Sequence, residues 1–390
     1  MENFNLPLMS DNISRDDINA VVDFLQQDPI PRLTNGPKVK EFESRWSEWV
    51  GMEYSVMVNS GTAANELTML ALNYISGTGE IIVPPLTWVS DVNSVLFEGH
   101  TPVFVDINLQ NLSFDIEKLK AAITDKTKAI FLTHVLGLNG VTDELIQLCE
   151  EKNILLIEDV CESHGATFKG QKCGSMGYAS NFSFYFAHHM STIEGGIVCT
   201  NDPLFYQICR ALRSHGMVRE MTDVNFKNKI IEENPTLNPD FIFLGPAHNF
   251  RSSEINAVIG LNQLPKLDNN NKVRTKNFDH FIKKLDSEKY ITDLNTEGQC
   301  NYAFIAILKE ASFEKRDLVE KTLLKNKIEF RRGLSGGGNQ LRQPYFKKEN
   351  IDFTKYPNTE HVSDFSWYIG NYPTLEIEKI DHLINILNNI

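Results

Sequence analysis

The length and charge of the chain already exclude several classes of protein. At about 150 residues per domain, its 390 residues correspond to two or three structural units, which excludes a mini-protein or a lone binding motif. The net charge is -13, and no cluster of Lys or Arg reverses it locally, so we expect neither nucleic acid nor a membrane surface as a partner. The first residues lack the order of a signal peptide, and no apolar stretch approaches the roughly 20 residues of a membrane helix, which favours a cytoplasmic protein.

The six cysteines are spread along the chain without a Cys-x-x-Cys pair or a histidine at the spacing of a zinc ligand. The equal spacing of Cys149, Cys161 and Cys173 suits neither a ligand pair nor a hairpin, so we attribute no function to it. The pattern favours reduced, mostly buried thiols, and we expect no metal centre.

The chain begins with two predicted helices and continues with an alternating pattern. Ser14 and Asp17 have the spacing of a helix N-cap pair and open an amphipathic stretch that ends at Leu25. From about residue 54 to 200, short β-branched runs alternate with stretches of helical period, which is typical of a parallel sheet with crossover helices. The other predicted helices of this part are 38–50, 63–75 and 141–153, and the predicted strands are 54–59, 80–85, 102–107, 129–135, 154–160, 182–186 and 196–200.

The pattern changes after a polar stretch at 222–240, and the remaining residues predict a smaller α/β domain. We therefore divide the chain into residues 1–245 and 246–390. The glycine-rich segment 333–340 is expected to form a functional or tight-turn loop. The second part begins with two predicted helices at 253–266 and 272–287, continues with the segments 302–309, 314–328 and 329–334, the last of which starts a strand, and ends with a helix near 377–389.

Two positions at the ends of predicted strands point to a ligand site. Residues 60–63, Ser-Gly-Thr-Ala, lie between a strand and a helix, where backbone N–H groups, hydroxyls and the helix dipole together bind anions. An ordinary N-cap turn is the alternative. Asp159 ends an apolar run, and an acid at the carboxyl end of a parallel strand points into the crevice where such sheets bind ligands. A helix cap is the alternative there.

The segment 181–200 is the most informative part of the sequence. A polar turn that contains His188 and His189 separates an apolar strand from a Glu-Gly-Gly turn and a second strand, which is an unusual order for a structural hairpin. Two adjacent histidines project differently, so at most one faces a given site. A capped loop with surface histidines is the alternative interpretation.

Four landmarks together resemble one enzyme family. Ser-Gly-Thr-Ala-Ala-Asn at 60–65, the strand that ends in Glu158 and Asp159, the segment 182–196 and residues 248–260 occur in the order of the nucleotide-sugar aminotransferases. These are pyridoxal-phosphate (PLP) enzymes of the aspartate-aminotransferase fold. The resemblance implies a large domain with a mixed, mostly parallel seven-stranded sheet and a smaller C-terminal α/β domain.

The resemblance also implies roles for individual residues. Gly61, Thr62 and Ala63 would hold the cofactor phosphate together with Ser183, and Asp159 would pair with the pyridine nitrogen, which keeps the ring protonated as an electron sink. Trp88 lies where this fold stacks an aromatic ring on the cofactor, although a core tryptophan is the alternative. Asn249 would reach the phosphate in the neighbouring subunit, so the family implies a homodimer with shared active sites.

One departure from the family pattern matters more than the matches. Family aminotransferases carry the lysine that binds the cofactor covalently six residues before the Glu-Gly-Gly turn, and here that position is His188. No lysine occurs between Lys172 and Lys227. A histidine cannot bind the cofactor in this way, so the cofactor would be held non-covalently, as pyridoxamine phosphate (PMP). What remains at the position is a proton-transfer base, which we expect to have a near-neutral pKa.

This exchange resembles the branch of PMP-dependent sugar 3-dehydratases, which remove the C3 hydroxyl of nucleotide-linked 4-keto-6-deoxy sugars. Glutamate would act as amino donor and regenerate PMP. Some members carry an iron–sulfur cluster, but after His188 only Cys199 and Cys209 follow closely, without the group that a cluster needs, so we expect none. A GDP-linked 4-keto-6-deoxy-mannose is the expected substrate, with a CDP-linked sugar as the alternative because the loop around Gly337 resembles the CDP type equally well.

Four residues are expected to contact the sugar nucleotide. His215 and Arg219 match positions near the sugar, although cations at a helix C-terminus explain them nearly as well. Glu329 and Arg331, at a strand start in the small domain, are candidates for sugar or pyrophosphate contacts. Two other functions stay open: a non-catalytic relative that only binds cofactor or sugar nucleotide, and an aminotransferase that uses a distant lysine.

Overall fold

The computed structural model describes residues 4–10, 12–346 and 349–390. Its helices are α1 (Arg15–Leu25), α2 (Pro37–Val50), α3 (Gly61–Ser76), α4 (Val89–Phe97), α5 (Ile116–Ala122), α6 (Asp143–Lys152), α7 (Pro203–Leu212), α8 (Val224–Glu233), α9 (Glu254–Lys284), α10 (Phe313–Lys325), α11 (Pro357–Phe365) and α12 (Ile377–Asn388). Its strands are β1 (Tyr54–Val58), β2 (Glu80–Val83), β3 (Thr101–Phe104), β4 (Thr127–Thr133), β5 (Leu155–Asp159), β6 (Thr167–Phe168), β7 (Gln171–Lys172), β8 (Ala179–Ser183), β9 (Gly196–Thr200), β10 (Ala303–Ile307), β11 (Phe330–Arg332) and β12 (Ser366–Gly370).

The large sheet is mixed, mostly parallel and seven-stranded, as the sequence predicts. Its order is β1-β9-β8-β5-β4-β2-β3, and β9 is antiparallel to both of its neighbours. The strands from β8 to β3 run parallel, so their carboxyl ends meet at one edge of the sheet. That edge is where open α/β sheets bind ligands.

One strand prediction is wrong by three residues. The strand expected at 182–186 is β8, Ala179–Ser183, which pairs with β5 from Ala179 to Asn181. After Ser183 the chain leaves the sheet, and the backbone of Phe184 instead bonds to Gly195 and Thr192 across the turn. The small polar residues that begin β8 lack the β-branched pattern on which the prediction relied.

The C-terminal part contains a three-stranded sheet with the order β10-β12-β11 and both pairs antiparallel. The two helices predicted at 253–266 and 272–287 are one continuous helix, α9, which runs through Pro265. Tertiary contacts hold the intervening residues helical: Leu267 is fully buried, and the Asn271 amide donates to the carbonyl of His164. Because α9 packs on α1 and α2 as well as on α12, the division at residue 245 stays a prediction.

The N-terminal helix has the predicted cap. Ser14 and Asp17 form a reciprocal capping box at the start of α1. Before it, Leu6 pairs with Ile328 beside β11, so the N-terminal segment crosses from the small sheet towards the large one. In the described part of the chain, none of the helices combines the length and apolar character that spanning a membrane requires.

Candidate active site

A cavity of about 400 Å³ lies at the carboxyl edge of the large sheet. The ends of β4, β5 and β8 form its floor through Thr133, Asp159 and Ser183, and the turn after β8 brings His188 into it. The small sheet and the N-terminal segment close the other side. The predicted residues that line this cavity are Gly61, Thr62, Trp88, Asp159, Ser183, His188 and Arg331.

The start of α3 forms a cradle for an anion at one end of the cavity. The Ser60 hydroxyl caps the helix by accepting from Ala63 N at 3.0 Å, so the amide of Ala63 is already used and this residue does not line the cavity. The first helical N–H groups, those of Gly61 and Thr62, have no partner in the described residues. A Cβ on Gly61 would lie 2.6 Å from Ser183 Cβ, so only glycine lets the Ser183 hydroxyl approach this turn.

Asp159 is fixed by hydrogen bonds on both of its oxygens. Its Oδ1 accepts from Cys161 N at 2.8 Å, and its Oδ2 accepts from the Asn65 amide at 3.1 Å. The residue is 4% exposed and lines the cavity, so a carboxylate faces the ligand space from the floor. Trp88, by contrast, is 49% exposed at the start of α4 and lines the cavity, which excludes the alternative of a core tryptophan.

His188 lines the cavity, but its pKa is not near neutral as the sequence suggests. Burial lowers the pKa of His188 to about 4, and the carboxylate of Asp159 offsets only part of this effect. At neutral pH the ring is therefore uncharged and able to accept a proton. The interpretation of this turn as a loop of surface histidines is wrong, because His188 is partly buried and His189 is fully buried.

Two further histidines pack behind His188. The ring centroid of His164 lies 6.0 Å from that of His188 and 5.4 Å from that of His189. His189 Nε2 donates to the carbonyl of Cys300 at 2.9 Å, which fixes its tautomer. Burial lowers the pKa of both His164 and His189 well below its ordinary value, so the cluster is uncharged at neutral pH.

Because burial lowers the pKa of His164, His188 and His189, these three residues are expected to make the fold less stable in acid. The pKa of each imidazole is lower in the folded than in the unfolded chain, where it is about 6.5, so below that pH the unfolded chain binds more protons. The stability that His188 contributes is present above pH 6.5 and is lost as the pH falls towards its folded pKa of about 4.

We expect the contribution of His188 to the free energy of unfolding to fall by roughly 2 kcal/mol between pH 7 and 5, with His164 and His189 acting in the same direction, and urea unfolding at each pH measures the change. His189→Gln keeps a donor for the carbonyl of Cys300 but cannot be protonated, so its loss over the same range should be smaller. Equal losses in the wild type and the variant would contradict this assignment.

Three predicted residues lie outside the cavity of their own chain. Asn249, His215 and Arg219 are exposed, and Asn249 pairs with Ser214 in an antiparallel bridge that holds the two segments together. The guanidinium of Arg219 stacks over the ring of Phe241 at 5.3 Å. These residues therefore form a surface of their own beside several exposed apolar side chains.

The two small-domain residues have different surroundings. Glu329 does not line the cavity; its Oε2 accepts from Leu8 N at 2.9 Å and so positions the N-terminal segment, whose Leu8 and Met9 do line it. Arg331 lines the cavity, and the only hydrogen bond of its guanidinium within the described residues is to the backbone carbonyl of Phe330. Arg331 thus offers a cation to a ligand.

Several cavity residues were missed by the sequence reasoning. Glu162 lines the cavity, and its position three residues after Asp159 could have indicated this. Burial raises the pKa of Glu162 to about 7. Tyr302 and Tyr368 reach the cavity from the small domain, where no local pattern indicated them. In the described residues, no lysine side chain lines the cavity.

Comparisons with known proteins agree with this geometry. Residues 11–388 match the model of the DegT/DnrJ/EryC1/StrS aminotransferase family, and the chain belongs to this family. Among its relatives is the GDP-4-keto-6-deoxy-D-mannose 3-dehydratase of Yersinia pseudotuberculosis, 33% identical, with 98% of each chain covered.

Solved structures of such dehydratases are also similar. The Escherichia coli GDP-4-keto-6-deoxy-D-mannose-3-dehydratase with bound hydrated PLP has a TM-score of 0.87 and 31% identity, and the match covers 98% of this chain and 99% of that one. A GDP-4-keto-6-deoxymannose-3-dehydratase with a trapped PLP-glutamate geminal diamine has a TM-score of 0.85 and 30% identity, and the match covers 98% and 100%. The fold and the family predicted from the sequence are confirmed.

Proposed function

We propose that the protein is a PLP/PMP-dependent 3-dehydratase that converts GDP-4-keto-6-deoxy-D-mannose into a GDP-linked 4-keto-3,6-dideoxy sugar. The observation that carries the proposal is the histidine in place of a lysine: His188 lies in the cavity beside an intact set of cofactor residues, Asp159 and Ser183 among them. A non-catalytic relative that only binds the cofactor or the sugar nucleotide would not need the carboxylate of Asp159, so its presence favours an enzyme. An aminotransferase needs a lysine in the cavity, and the described lining contains none.

The cavity fits PLP or PMP at three points. The open N–H groups of Gly61 and Thr62 and the hydroxyl of Ser183 suit a phosphate, and Asp159 suits a protonated ring nitrogen. The exposed indole of Trp88 offers a face for stacking. When bound, the cofactor supplies an amine that condenses with the C4 ketone and a protonated ring that accepts electron density.

His188 then performs the proton transfers. As an uncharged base it takes the proton whose removal allows the C3 hydroxyl to leave, and as an imidazolium it returns a proton. Asp159 holds the ring nitrogen protonated throughout. Glutamate regenerates the amine, and the net products are the dideoxy sugar, 2-oxoglutarate and ammonia. No reductase partner is required, because glutamate supplies the two electrons. We infer a cytoplasmic location.

A product assay with GDP- and CDP-linked 4-keto-6-deoxy sugars, glutamate and PLP tests this proposal. We expect turnover of the GDP sugar without a reductase. Turnover of the CDP sugar alone would assign the alternative substrate. If neither sugar is consumed and glutamate yields no 2-oxoglutarate, the protein is a binding protein and the proposed function is wrong.

Arg331 is proposed to bind the sugar nucleotide through its guanidinium, which forms no ion pair with the described residues. Arg331→Ala should raise KM for the GDP sugar roughly 10- to 100-fold with a smaller effect on kcat, because a charge-assisted contact to an anion is lost. Arg332 is a matched control: it is next in β11 but forms a bidentate ion pair with Glu320 and does not line the cavity. Arg332→Ala with the larger KM effect would contradict the assignment.

We further propose a homodimer in which Asn249, His215 and Arg219 complete the site of the partner. The proposal is supported by their exposure and by the exposed aromatic rings of Phe241 and Phe243 on the same surface. Coexpression of His188→Asn and Asn249→Ala chains tests it. Each homodimer should be inactive, whereas random pairing should restore about a quarter of the activity, because one hybrid site is intact. No restoration would place Asn249 in the site of its own chain.

A further inference from the structure

A second buried carboxyl group, that of Asp91, lies directly behind Asp159. Asp91 is in the first turn of α4 and is fully inaccessible to solvent. The amide nitrogen of Asn65 lies 2.7 Å from Asp91 Oδ1 and 3.1 Å from Asp159 Oδ2, so one side chain bridges the two acids. The shared amide nitrogen therefore places the two carboxyl groups next to each other.

The groups around this pair supply no positive charge. Asp91 Oδ2 is 2.5 Å from the Thr87 hydroxyl and 2.9 Å from the Thr133 hydroxyl, and hydroxyls can donate or accept. In the described part of the chain, no Lys or Arg forms an ion pair with either acid. Two carboxylates so close in a buried site cannot both stay ionised, so one of them keeps a proton.

The surroundings decide which acid keeps the proton. Asp159 accepts a backbone N–H from Cys161 and borders the cavity, and both features favour its ionised form. Asp91 has no exposed surface and no backbone donor. Burial and the neighbouring charge of Asp159 raise the pKa of Asp91 well above its ordinary value, which agrees with this assignment.

We propose that Asp91 is a positioning residue that stays protonated and donates a hydrogen bond to Asp159, so that the pair presents a single negative charge to the cavity. The inference rests on the proposed function in one respect, that Asp159 faces the ring nitrogen of the cofactor. One negative charge matches the one positive charge of a protonated pyridine ring. A doubly charged pair would leave one buried anion without compensation.

Infrared spectroscopy of the full-length protein with PMP bound tests the protonation directly. At a pH above the pKa of Glu162, which is about 7, we expect the C=O stretching band of a carboxylic acid in the wild type, lost in Asp91→Asn. Glu162→Gln is the matched control, because Glu162 lines the cavity and burial raises its pKa to about 7, and this variant should keep the aspartic-acid band. If Asp91→Asn does not fold, carboxyl-labelled aspartate in the wild type should shift the band and labelled glutamate should not. Absence of an aspartic-acid band would overturn the proposal.

Kinetics test the positioning role. Asp91→Asn keeps an uncharged group that donates to Asp159, so kcat should stay within about tenfold of the wild type and the absorption maximum of bound PLP should not move. Asp91→Ala removes the donor and should lower kcat about 10- to 100-fold. Equal losses in both variants would contradict the role. If the wild-type protein turns over no sugar, the proposed function is wrong. The infrared result would still decide whether Asp91 is protonated.

Discussion

Replacing His188 with asparagine is expected to abolish dehydration while the protein still binds PMP. The side chain is the base in the proposed reaction and is uncharged in the cavity at neutral pH, whereas asparagine cannot accept a proton. General acid–base catalysis contributes about 10² to 10⁴ in rate, so kcat should fall at least a hundredfold. Release of the dideoxy sugar, followed by mass spectrometry, measures the effect, and the PMP absorption band of the purified variant reports cofactor retention.

The neighbouring histidine provides the control for this variant. His189→Gln keeps the hydrogen bond to the carbonyl of Cys300 and leaves the ring of His188 in place, so kcat should change by less than about tenfold. If His188→Asn keeps wild-type turnover with cofactor bound, another group performs the proton transfer. A larger loss in His189→Gln than in His188→Asn would move the catalytic role to the buried neighbour.

The second large effect is expected at Asp159. Asp159→Asn removes the negative charge that, in the proposed function, keeps the ring nitrogen protonated, but it keeps the shape of the side chain and a partner for Asn65. We expect kcat to fall about 10²- to 10³-fold, in the range found when one preorganised electrostatic group is removed. A pH titration of the bound PLP spectrum should show that the ring nitrogen loses its proton at lower pH than in the wild type.

Cys161→Ser is the control for this second prediction. Cys161 lines the cavity and donates its backbone N–H to Asp159, and its thiol lies 3.9 Å from the carbonyl of Asn181. The serine variant should therefore stay within about tenfold of the wild type. A complete loss in Cys161→Ser would favour a thiol-bound cluster, and wild-type activity in Asp159→Asn would contradict the role given to the carboxylate.

Much of the large domain was predictable from the sequence because its strands are buried on both faces. Such strands are continuous β-branched and aliphatic runs, as in β2 and β5, and the family landmarks placed their ends. The central strand of the small sheet, β12, was missed because the Ser-Trp-Tyr-Ile-Gly segment has no such pattern and is held by its two neighbours. Tertiary contacts also explain why α9 is continuous, although two separate helices were expected on either side of residues 267–271, just after Pro265.

The candidate site also contains residues that local sequence motifs predict and residues that only tertiary packing brings to the cavity. Asp159 and Ser183 were predictable because short motifs mark the strand ends that carry them, and His188 because its spacing from the Glu-Gly-Gly turn marks it. Asp91 and Tyr302 were not, because their role depends on which strands and helices become neighbours rather than on nearby sequence. The pKa of His188 also depends on packing, since burial is the main cause of its lowered value.

The fate of the amino group tests the central claim most directly, namely that a cavity with a histidine in place of the lysine removes a hydroxyl instead of delivering an amine. With GDP-4-keto-6-deoxy-D-mannose, glutamate and PLP, we predict one ammonia and one 2-oxoglutarate for each dideoxy sugar formed. No 4-amino sugar should accumulate. A stable 4-amino sugar, formed without ammonia and with the C3 hydroxyl retained, would show that the protein is an aminotransferase and contradict the account.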